Sequence, residues 1–318
     1  MSCPTMPAAD SRRVVLAALG GNVAIAACKL VAAALSRSTA TLAEAVHSLA
    51  DTGNQVLILV GMQLAARPAD ARFPFGRASE RYFWPFVVAL LLFSVGGAFA
   101  IFNGVDHLVH PRLETHARGW SYGVLSVSLV FEAMSFRVAF QEFRKLASGH
   151  SLTSAVFDAR DPTIPLVLAE DATALVGLVL ALLAVTASGL TGQDYWDPLG
   201  SVVIGVLLCA VAIVLAWITH ALLIGESATA EDQRRALELA EQVPGVERVT
   251  QLLTMHLGPD VIVLAMKVAF RPTLTVEQVE QVTDRIEAAI RAAMPRMRKI
   301  FVEADSRGDM RGITARAR

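Results

Sequence analysis

Residues 42–55 read LAEAVHSLADTGNQ, and this stretch decides how the rest of the chain is interpreted. It lies in an apolar run from about Thr41 to Ala66, and roughly 20 such residues are enough for a helix to cross a bilayer. At about 100° per residue, the polar side chains of this run share one helix face: Glu44, His47, Asp51 and Asn54. Because a carboxylate inside a bilayer is costly, this stripe indicates a protein interior, a water-filled path or a bound cation. The alternative is a polar contact that only holds two helices together.

The composition of the whole chain is typical of an integral membrane protein. Of its 318 residues, 54% are hydrophobic and only 18% are charged, and the mean hydropathy is +0.50. The net charge of -1 and the scattered basic residues give no indication of a nucleic-acid partner. Cys3, Cys28 and Cys209 are isolated, so the sequence predicts neither a disulfide framework nor a thiolate metal cluster.

Six apolar runs predict six membrane-spanning helices within residues 12–225. The first run follows Arg12 and Arg13, and its length fits a spanning helix better than a cleavable signal peptide. The short start, residues 1–11, is expected to be disordered. The predicted helices cover Val14–Leu35, Thr41–Ala66, Tyr82–Phe102, Trp120–Phe140, Pro165–Leu190 and Pro198–Ile224.

The distribution of basic residues predicts the orientation in the membrane. Six spans place both termini on one side, and the loops on that side carry most of the Arg and Lys residues. The opposite side offers only Arg37, Arg112 and Arg118. By the positive-inside rule, both termini are therefore expected in the cytoplasm, and a bacterial chain would lie in the plasma or inner membrane.

The sequence changes character at Glu226, and residues 226–306 predict a small soluble α+β domain. Helical and alternating patterns recur in the order helix, strand, strand, helix, strand. The predicted elements are Glu231–Gln242, Val246–Leu257, Val261–Phe270, Thr275–Met294 and Lys299–Ala304. The Thr275 hydroxyl is expected to cap the second helix, and residues 307–318 form a basic tail.

The fifth predicted helix supplies further carboxylates, Glu170 and Asp171, in otherwise apolar sequence. A cation between the second and fifth helices would offset the cost of these groups. Adjacent residues point about 100° apart, so both are not expected to bind one ion directly. In the fourth helix, Glu132 is a candidate proton carrier or outer group of the site, and the alternative is an ion pair with Arg137 or Lys29.

These segments resemble the cation diffusion facilitator family over nearly the whole chain. SRSTATLAEAVHSLADTGNQ resembles its second-helix signature, FPFGRASERYF the loop that follows, LAEDATALVG the fifth helix and DPLGSVVIGVLL the sixth. The segments SLADTGNQ and DARDPT also resemble the branch that contains animal zinc transporter nine. The resemblance implies a homodimeric transporter with six membrane helices and a ferredoxin-like cytoplasmic domain, which exchanges divalent cations such as Zn²⁺ or Mn²⁺ against protons.

The resemblance also implies a transport site with two ligands on helix two and two on helix five. The four positions are occupied by His47, Asp51, Val167 and Asp171. Valine cannot bind a metal, so the fourth ligand is open. Glu170 is the preferred candidate, and water, Glu44, Asn54 or an unfilled position are the alternatives.

Two further positions depart from the family pattern. Many bacterial members bind another ion in the loop after helix two, where this chain has Asp70, Phe73 and Arg77. No metal is expected at these three residues. In the cytoplasmic domain, Thr250 and Met266 stand in place of histidines, and Glu303 and Asp305 are still acidic. These two carboxylates are weak candidates for a regulatory metal site, and the alternative is exposed acids at a strand end.

The function expected from these features is Zn²⁺/H⁺ antiport that exports metal from the cytoplasm. Glu44, Asn54 and Glu132 are expected to couple protons or to surround the ion. Partners are then the metal ion, protons, membrane lipid and a second copy of the chain, with no prosthetic group. The carboxylate-rich ligand set leaves Mn²⁺ and Fe²⁺ open. A non-transporting membrane scaffold is the alternative, and no enzyme motif such as HExxH is present.

Overall fold

The computed structural model describes residues 8–36, 39–110, 118–146, 161–193 and 195–305. The first part consists of long helices that follow one another along the chain. Their bounds are Ala8–Ser36 (α1), Thr39–Ala65 (α2), Glu80–Leu91 (α3), Phe99–Val109 (α4), Arg118–Leu146 (α5), Thr163–Thr191 (α6) and Trp196–Ile224 (α7). A π-helical segment, Leu92–Ala98, joins α3 to α4, so these three pieces form one continuous helical span. The predicted helices therefore appear in the predicted order.

The outer surface of this helical part is apolar. Among the described residues, four segments are long and apolar enough to cross a membrane: Glu80–Val109, Tyr122–Gln141, Thr163–Thr191 and Trp196–Ile224. In α1 the described apolar stretch is shorter, Leu19–Cys28. Large side chains such as Leu183 and Ile213 are about 60% exposed, which suits contact with lipid chains. The chain is thus an integral membrane protein.

Some helices extend beyond the bounds predicted from hydropathy. Helix α1 begins at Ala8, so residues 8–11 are helical rather than disordered, and α5 continues to Leu146 instead of ending near Phe140. Hydropathy detects only the part of a helix that suits the bilayer. Backbone hydrogen bonding continues into neighbouring polar residues with good helix propensity, such as those of the sequence QEFRKL at the end of α5.

The π-helical segment brings the third span into close contact with α7. A Cβ atom at Gly97 would lie 2.4 Å from the Cys209 Sγ atom and 2.9 Å from the Cys209 backbone nitrogen. A Cβ atom at Gly205 would lie 2.8 Å from the Ile101 backbone nitrogen. The two helices therefore touch through their backbones at glycine, as small residues allow in membrane proteins.

The second part of the chain follows a left-handed turn at Gly225, whose φ is 101°. It contains α8 (Ala230–Glu241), β1 (Val246–Gly258), β2 (Val261–Phe270), α9 (Val276–Ala293) and β3 (Met297–Ala304). Strand β2 lies in the middle of the sheet, antiparallel to β1 and parallel to β3. The helices cover one face, and Leu264, Met266, Ile286 and Ile290 are buried between the layers. This confirms the predicted ferredoxin-like α+β domain.

In this domain the helices and strands predicted from sequence patterns agree closely with the observed ones. Each predicted element lies within two residues of the observed one. Thr275 begins α9 with a reciprocal cap: the Gln278 backbone N–H donates to Thr275 Oγ1, and the Thr275 N–H donates to Gln278 Oε1. The predicted basic tail, residues 307–318, lies outside the described residues.

The loop after α2 connects the two parts of the chain. Ser79 Oγ donates to the backbone oxygen of Leu257 at the end of β1, at 2.9 Å. The rings of Phe75 and Phe301 meet edge to face, with centroids 6.3 Å apart. The loop thus packs on the sheet, which fixes where the soluble domain lies relative to α3.

Candidate functional site

The polar face of α2 meets α6 through one hydrogen bond. The Asn54 Nδ2 group donates to Glu170 Oε1 at 3.2 Å, and Asn54 is only 7% exposed. Asp51 lies one turn earlier on the same face of α2, and its carboxylate interacts electrostatically with Glu170 and Asp171. The described part of the predicted stripe therefore faces the helix that carries the other predicted carboxylates.

Asp171 points toward a third helix, α5. It is 3% exposed, and its Oδ2 atom accepts a hydrogen bond from Ser135 Oγ at 2.9 Å. Glu170 bonds to α2 and Asp171 to α5, which agrees with the angle of about 100° between successive side chains. The two carboxylates lie on different sides of α6, and three helices converge on them.

The buried polar surface continues along α5. Glu132 is 7% exposed and lies one turn before Ser135, so the two residues share a helix face. Ser128, a further turn along the same face, is also buried. A carboxylate at this depth is stable only with polar or charged neighbours. Glu132 therefore shares the face of α5 from which Ser135 donates to Asp171.

Two predicted ligand positions, Glu44 and His47, lie on the α2 backbone. Their side chains are outside the described part of the structure. Among the side chains that are described, no group of three or more His, Cys, Asp or Glu residues is close enough to hold an ion. The described carboxylates of Asp51, Glu170 and Asp171 surround the α2–α6 contact without forming such a group.

The position of Val167 is filled by apolar packing. Its side chain is fully buried in a cluster that includes Leu166 and Ile58. A ligand at this position would have to displace part of that packing. Glu170, one turn later on α6, reaches α2 through Asn54 instead. Of the alternatives for the fourth ligand, Glu170 and Asn54 have described side chains, and the two are hydrogen-bonded to each other.

An open cleft lies next to the contact between Asn54 and Glu170. It has a volume of about 590 Å³ and lies between α2 and the third span. Asp51 and Asn54 line one wall, and Leu92, Val95 and Gly96 of the π-helical segment line the other. Asp51 therefore lines a largely apolar cleft and also interacts with the carboxylates of α6.

The loop after α2 forms a compact structure at the three positions that depart from the family pattern. The Asp70 carboxylate accepts the backbone N–H of Phe73 at 2.8 Å and the Arg77 guanidinium at 3.1 Å. The guanidinium lies 4.1 Å from the centre of the Phe73 ring. The Phe73 N–H and then Arg77 hold the pKa of the Asp70 carboxyl below its ordinary value. The three side chains bind one another.

The acids proposed for a regulatory site have protein partners. Glu303 lies 3.6 Å from Lys267 Nζ, and Asp305 accepts a hydrogen bond from Thr250 Oγ1 at 2.5 Å. Met266 is buried in the core beneath the sheet, next to Lys267 in sequence and on the opposite face of β2. The Met266 side chain is therefore turned away from Glu303 and Asp305.

Ser135 is the functional neighbour that the sequence interpretation missed. Serines in apolar helices usually bond to their own backbone, so the sequence alone gave no reason to assign Ser135 a partner on another helix. Its spacing was informative nonetheless, because Ser128, Glu132 and Ser135 repeat at i, i+4 and i+7. That pattern marks a polar face on the fourth predicted helix.

Comparison with known proteins gives matches over nearly the whole chain. The family model described as the cation efflux transmembrane domain matches residues 15–224. The family model described as the cation efflux protein cytoplasmic domain matches residues 228–307. This family model is named for dimerisation. The matches together cover both parts of the fold.

Two curated relatives have similar sequences. The mitochondrial proton-coupled zinc antiporter SLC30A9 of Xenopus laevis is 33% identical over 264 residues, which is 80% of this chain and 47% of that protein. Metal tolerance protein C4 of Arabidopsis thaliana is 31% identical over 305 residues, 94% of this chain and 64% of that protein. The chain spans about half to two thirds of the length of these relatives. A solved structure of the MamM C-terminal domain is 32% identical over 24% of this chain and 96% of that one, with a TM-score of 0.23.

Proposed function

The chain belongs to the cation efflux family, the cation diffusion facilitators, and from this premise we propose that it is a proton-coupled Zn²⁺ antiporter that exports metal from the cytoplasm. Members of the family are transporters and not enzymes, which confirms the prediction that this chain is not an enzyme. The observation that carries the proposal is the buried contact between Asn54 and Glu170, with Asp51 and Asp171 beside it. A similar protein bears the name of a proton-coupled zinc antiporter.

The proposed ion site lies between α2 and α6. His47, Asp51 and Asp171 are the proposed ligands. Glu170 is the proposed fourth, and a small rotation or local irregularity of α6 would have to turn it from Asn54 toward the same ion. Metal ligands must be deprotonated, so ion binding on one side of the membrane releases protons and reprotonation on the other side expels the ion. Imidazole and metal-bound carboxylates change protonation in the relevant range, so these residues carry the protons.

Movement of the ion requires the site to open alternately to each side. Transporters achieve this when one group of helices rocks against the rest. The cleft beside Asp51 supports access from one direction, because it reaches this carboxylate from between α2 and the third span. Asn54 and Glu132 are proposed to surround the ion and to relay protons, together with Glu44.

Zn²⁺ is the first candidate for the transported ion. One imidazole with two or three carboxylates is a harder ligand set than two imidazoles with two carboxylates, so Mn²⁺ and Fe²⁺ are the alternatives. A homodimer is proposed as the working form. The face of the sheet away from its helices supports this, because Leu253 and Phe301 are more than half exposed and lie in register on either side of Ala265. The orientation with both termini in the cytoplasm is likewise part of the proposal.

A non-transporting scaffold of the same fold is the second candidate. The buried position of Val167 favours it, because this ligand position of the family is filled by apolar packing. The carboxylates of Asp51, Glu170 and Asp171 oppose it, because acidic side chains within membrane-spanning helices are costly without a function.

Uptake of Zn²⁺, Mn²⁺ and Fe²⁺ into proteoliposomes under a proton gradient separates these candidates. The full chain is compared with Asp51→Ala and Asp171→Ala, and Asp284→Ala on the exposed side of α9 is the matched control. Saturable flux in the wild type and the control, lost in both site variants, supports the antiporter and names its ion. Folded protein that binds and moves none of the three ions supports the scaffold.

A further inference from the structure

Arg81 is a buried cation that joins three parts of the chain. It lies in the first turn of α3, and its side chain is 6% exposed. One guanidinium nitrogen, Nη1, donates to Asp260 Oδ2 at 2.9 Å, and Nη2 donates to Asp161 Oδ2. Asp260 lies in the turn between β1 and β2, and Asp161 lies just before α6. The same side chain therefore contacts the soluble domain and the start of another membrane helix.

Asp161 extends this connection into α6. Its Oδ1 atom accepts the backbone N–H of Thr163, the first residue of α6, at 3.1 Å. Both side chains are shielded from solvent: Asp161 is 11% exposed and Thr163 is 1% exposed. One carboxylate thus binds Arg81 with one oxygen and the helix start with the other. An α-helix is stiff along its axis, so a displacement of this end moves Glu170 and Asp171 as well.

The soluble side of the connection is held equally closely. Ser79, two residues before Arg81, donates to the Leu257 backbone oxygen, and a Cβ atom at Gly258 would lie 2.6 Å from Ala78 Cβ. The chain from Ala78 to Arg81 is therefore packed against the end of β1 and the turn that follows. These contacts connect the start of α3 directly to the soluble domain.

Arginine suits this position for a chemical reason. Its planar guanidinium presents several N–H groups in a fixed fork, so it can bind two carboxylates in different directions at once. Lysine provides a single charged centre and cannot reproduce both contacts with the same geometry. Loss of one carboxylate leaves a buried charge partly uncompensated, which disturbs the remaining contact as well.

We propose that Arg81 is a positioning residue that transmits movements of the soluble domain, through Asp260 and Asp161, to the start of α6. This proposal rests on the proposed transport function, since α6 carries the proposed ligands Glu170 and Asp171. It adds a route by which the soluble domain sets the position of those ligands. The residue itself does not touch the ion.

The first test measures amide hydrogen exchange in the full chain reconstituted in lipid nanodiscs. The variant Asp260→Asn removes the negative charge that faces Arg81 in the soluble domain and leaves the residues of α6 unchanged. We expect exchange in residues 163–168 to become roughly threefold faster or more, on the scale of a modest loss of local stability. The matched control, Asp284→Asn, lies on the exposed side of α9 and should leave this segment unchanged. If residues 163–168 exchange at the same rate in Asp260→Asn as in the wild type, the proposal is overturned.

The second test measures ion uptake by the same proteins. In Asp260→Asn and Arg81→Lys we expect turnover to fall about tenfold while KM stays within about twofold, since the variants alter helix movement and not the ligands. Equal turnover in the variants and the wild type would contradict the proposal. Asp260 is 32% exposed, so its variant tests the idea even when Arg81→Lys folds poorly. If the wild type moves no ion, the proposed function fails, and the exchange experiment still decides whether Arg81 connects the two parts.

Discussion

At the scale of single residues, the site depends on two polar groups that are not themselves metal ligands in the proposal. Asn54 donates to Glu170, and Ser135 donates to Asp171. Each donor fixes the direction of one carboxylate. The orientation of Glu170 and Asp171 is therefore supported by hydrogen bonds from α2 and α5.

Replacement of Asn54 by leucine should weaken ion uptake. A hydrogen bond to a charged group contributes about 1.5–3 kcal/mol, so we expect an apparent affinity loss of roughly tenfold or more. Uptake as a function of metal concentration measures this change. Thr52→Val is the control, because the Thr52 hydroxyl donates to its own helix at Ser48 and not to α6. An unchanged KM in Asn54→Leu would mean that Glu170 needs no support from α2.

Replacement of Ser135 by alanine tests the contact on α5. Without this donor, the buried Asp171 carboxylate loses its hydrogen bond and we expect protons to compete more strongly with the metal. The pH at which uptake is half-maximal should therefore be higher in Ser135→Ala than in the wild type. Ser94→Ala is the control, since Ser94 bonds to the Leu90 backbone oxygen in its own helix. Coincident pH profiles in Ser135→Ala and the wild type would exclude the proposed role of Ser135.

Residue spacing predicts part of the arrangement of these side chains, while their role as a site stays a prediction. The stripe on α2 and the divergent directions of Glu170 and Asp171 follow from helix geometry alone. The contact of Asp171 with Ser135 was not predicted, because sequence periodicity does not show which helices become neighbours. The Arg81 connection was missed for the same reason: its partners are 80 and 179 residues away along the chain.

At the scale of the elements, the π-helical segment sets the close approach of the third span to α7. A sequence pattern with a period of 3.6 residues cannot reveal one extra residue in a turn, so the segment was not predicted. The glycines at this contact are the feature of the sequence that indicates the close approach of the two helices. Gly97 faces Cys209 and Gly205 faces Ile101 at backbone distance, so a side chain at either position forces the helices apart.

The variant Gly97→Ala should destabilise the membrane domain. Added volume at a tightly packed contact typically costs about 1–3 kcal/mol. We expect a lower midpoint of thermal unfolding in detergent for this variant. Gly123→Ala on α5 is the control, because a Cβ atom there meets nothing within 4 Å. Equal midpoints for the two variants would show that the contact at Gly97 adapts without strain.

The loop after α2 should not contribute to proton coupling. Its Asp70 carboxyl has a lowered pKa, because it accepts the Phe73 N–H and pairs with Arg77. A lowered folded-state pKa adds stability above the ordinary aspartate value of about 3.9, and this stability is lost as the pH falls through the lowered value. Asp70 is therefore ionised throughout the range from about pH 5 to 8. Ion uptake by Asp70→Asn and by the wild type should show pH profiles of the same shape, and a shifted midpoint in the variant would contradict this.

At the scale of the whole molecule, the exposed sheet face offers a surface for a second copy. Leu253 and Phe301 are 55% and 51% exposed on the side away from α8 and α9, and one edge of the Phe301 ring is covered by Phe75 of the chain's own loop. Apolar side chains on one sheet face are typical of an interaction surface. The domain organisation could be predicted because the change in composition at Glu226 is abrupt. The way the two parts contact each other could not, since it depends on contacts such as Ser79 with Leu257.

The variant Leu253→Glu should weaken self-association. A charge on this face must be desolvated in a dimer, so we expect the dissociation constant to rise by roughly tenfold or more. Mass photometry or analytical ultracentrifugation in detergent measures the change. Val276→Glu is the control, because Val276 is 87% exposed at the start of α9 on the other side of the domain. A dimer of unchanged stability in Leu253→Glu would place the interface elsewhere.

The arrangement of Asp70, Phe73 and Arg77 makes the conformation of this loop independent of dissolved metal. An internal guanidinium supplies the positive charge beside Asp70, so the loop is held together by its own side chains. Chelators should therefore leave the conformation of this loop unchanged.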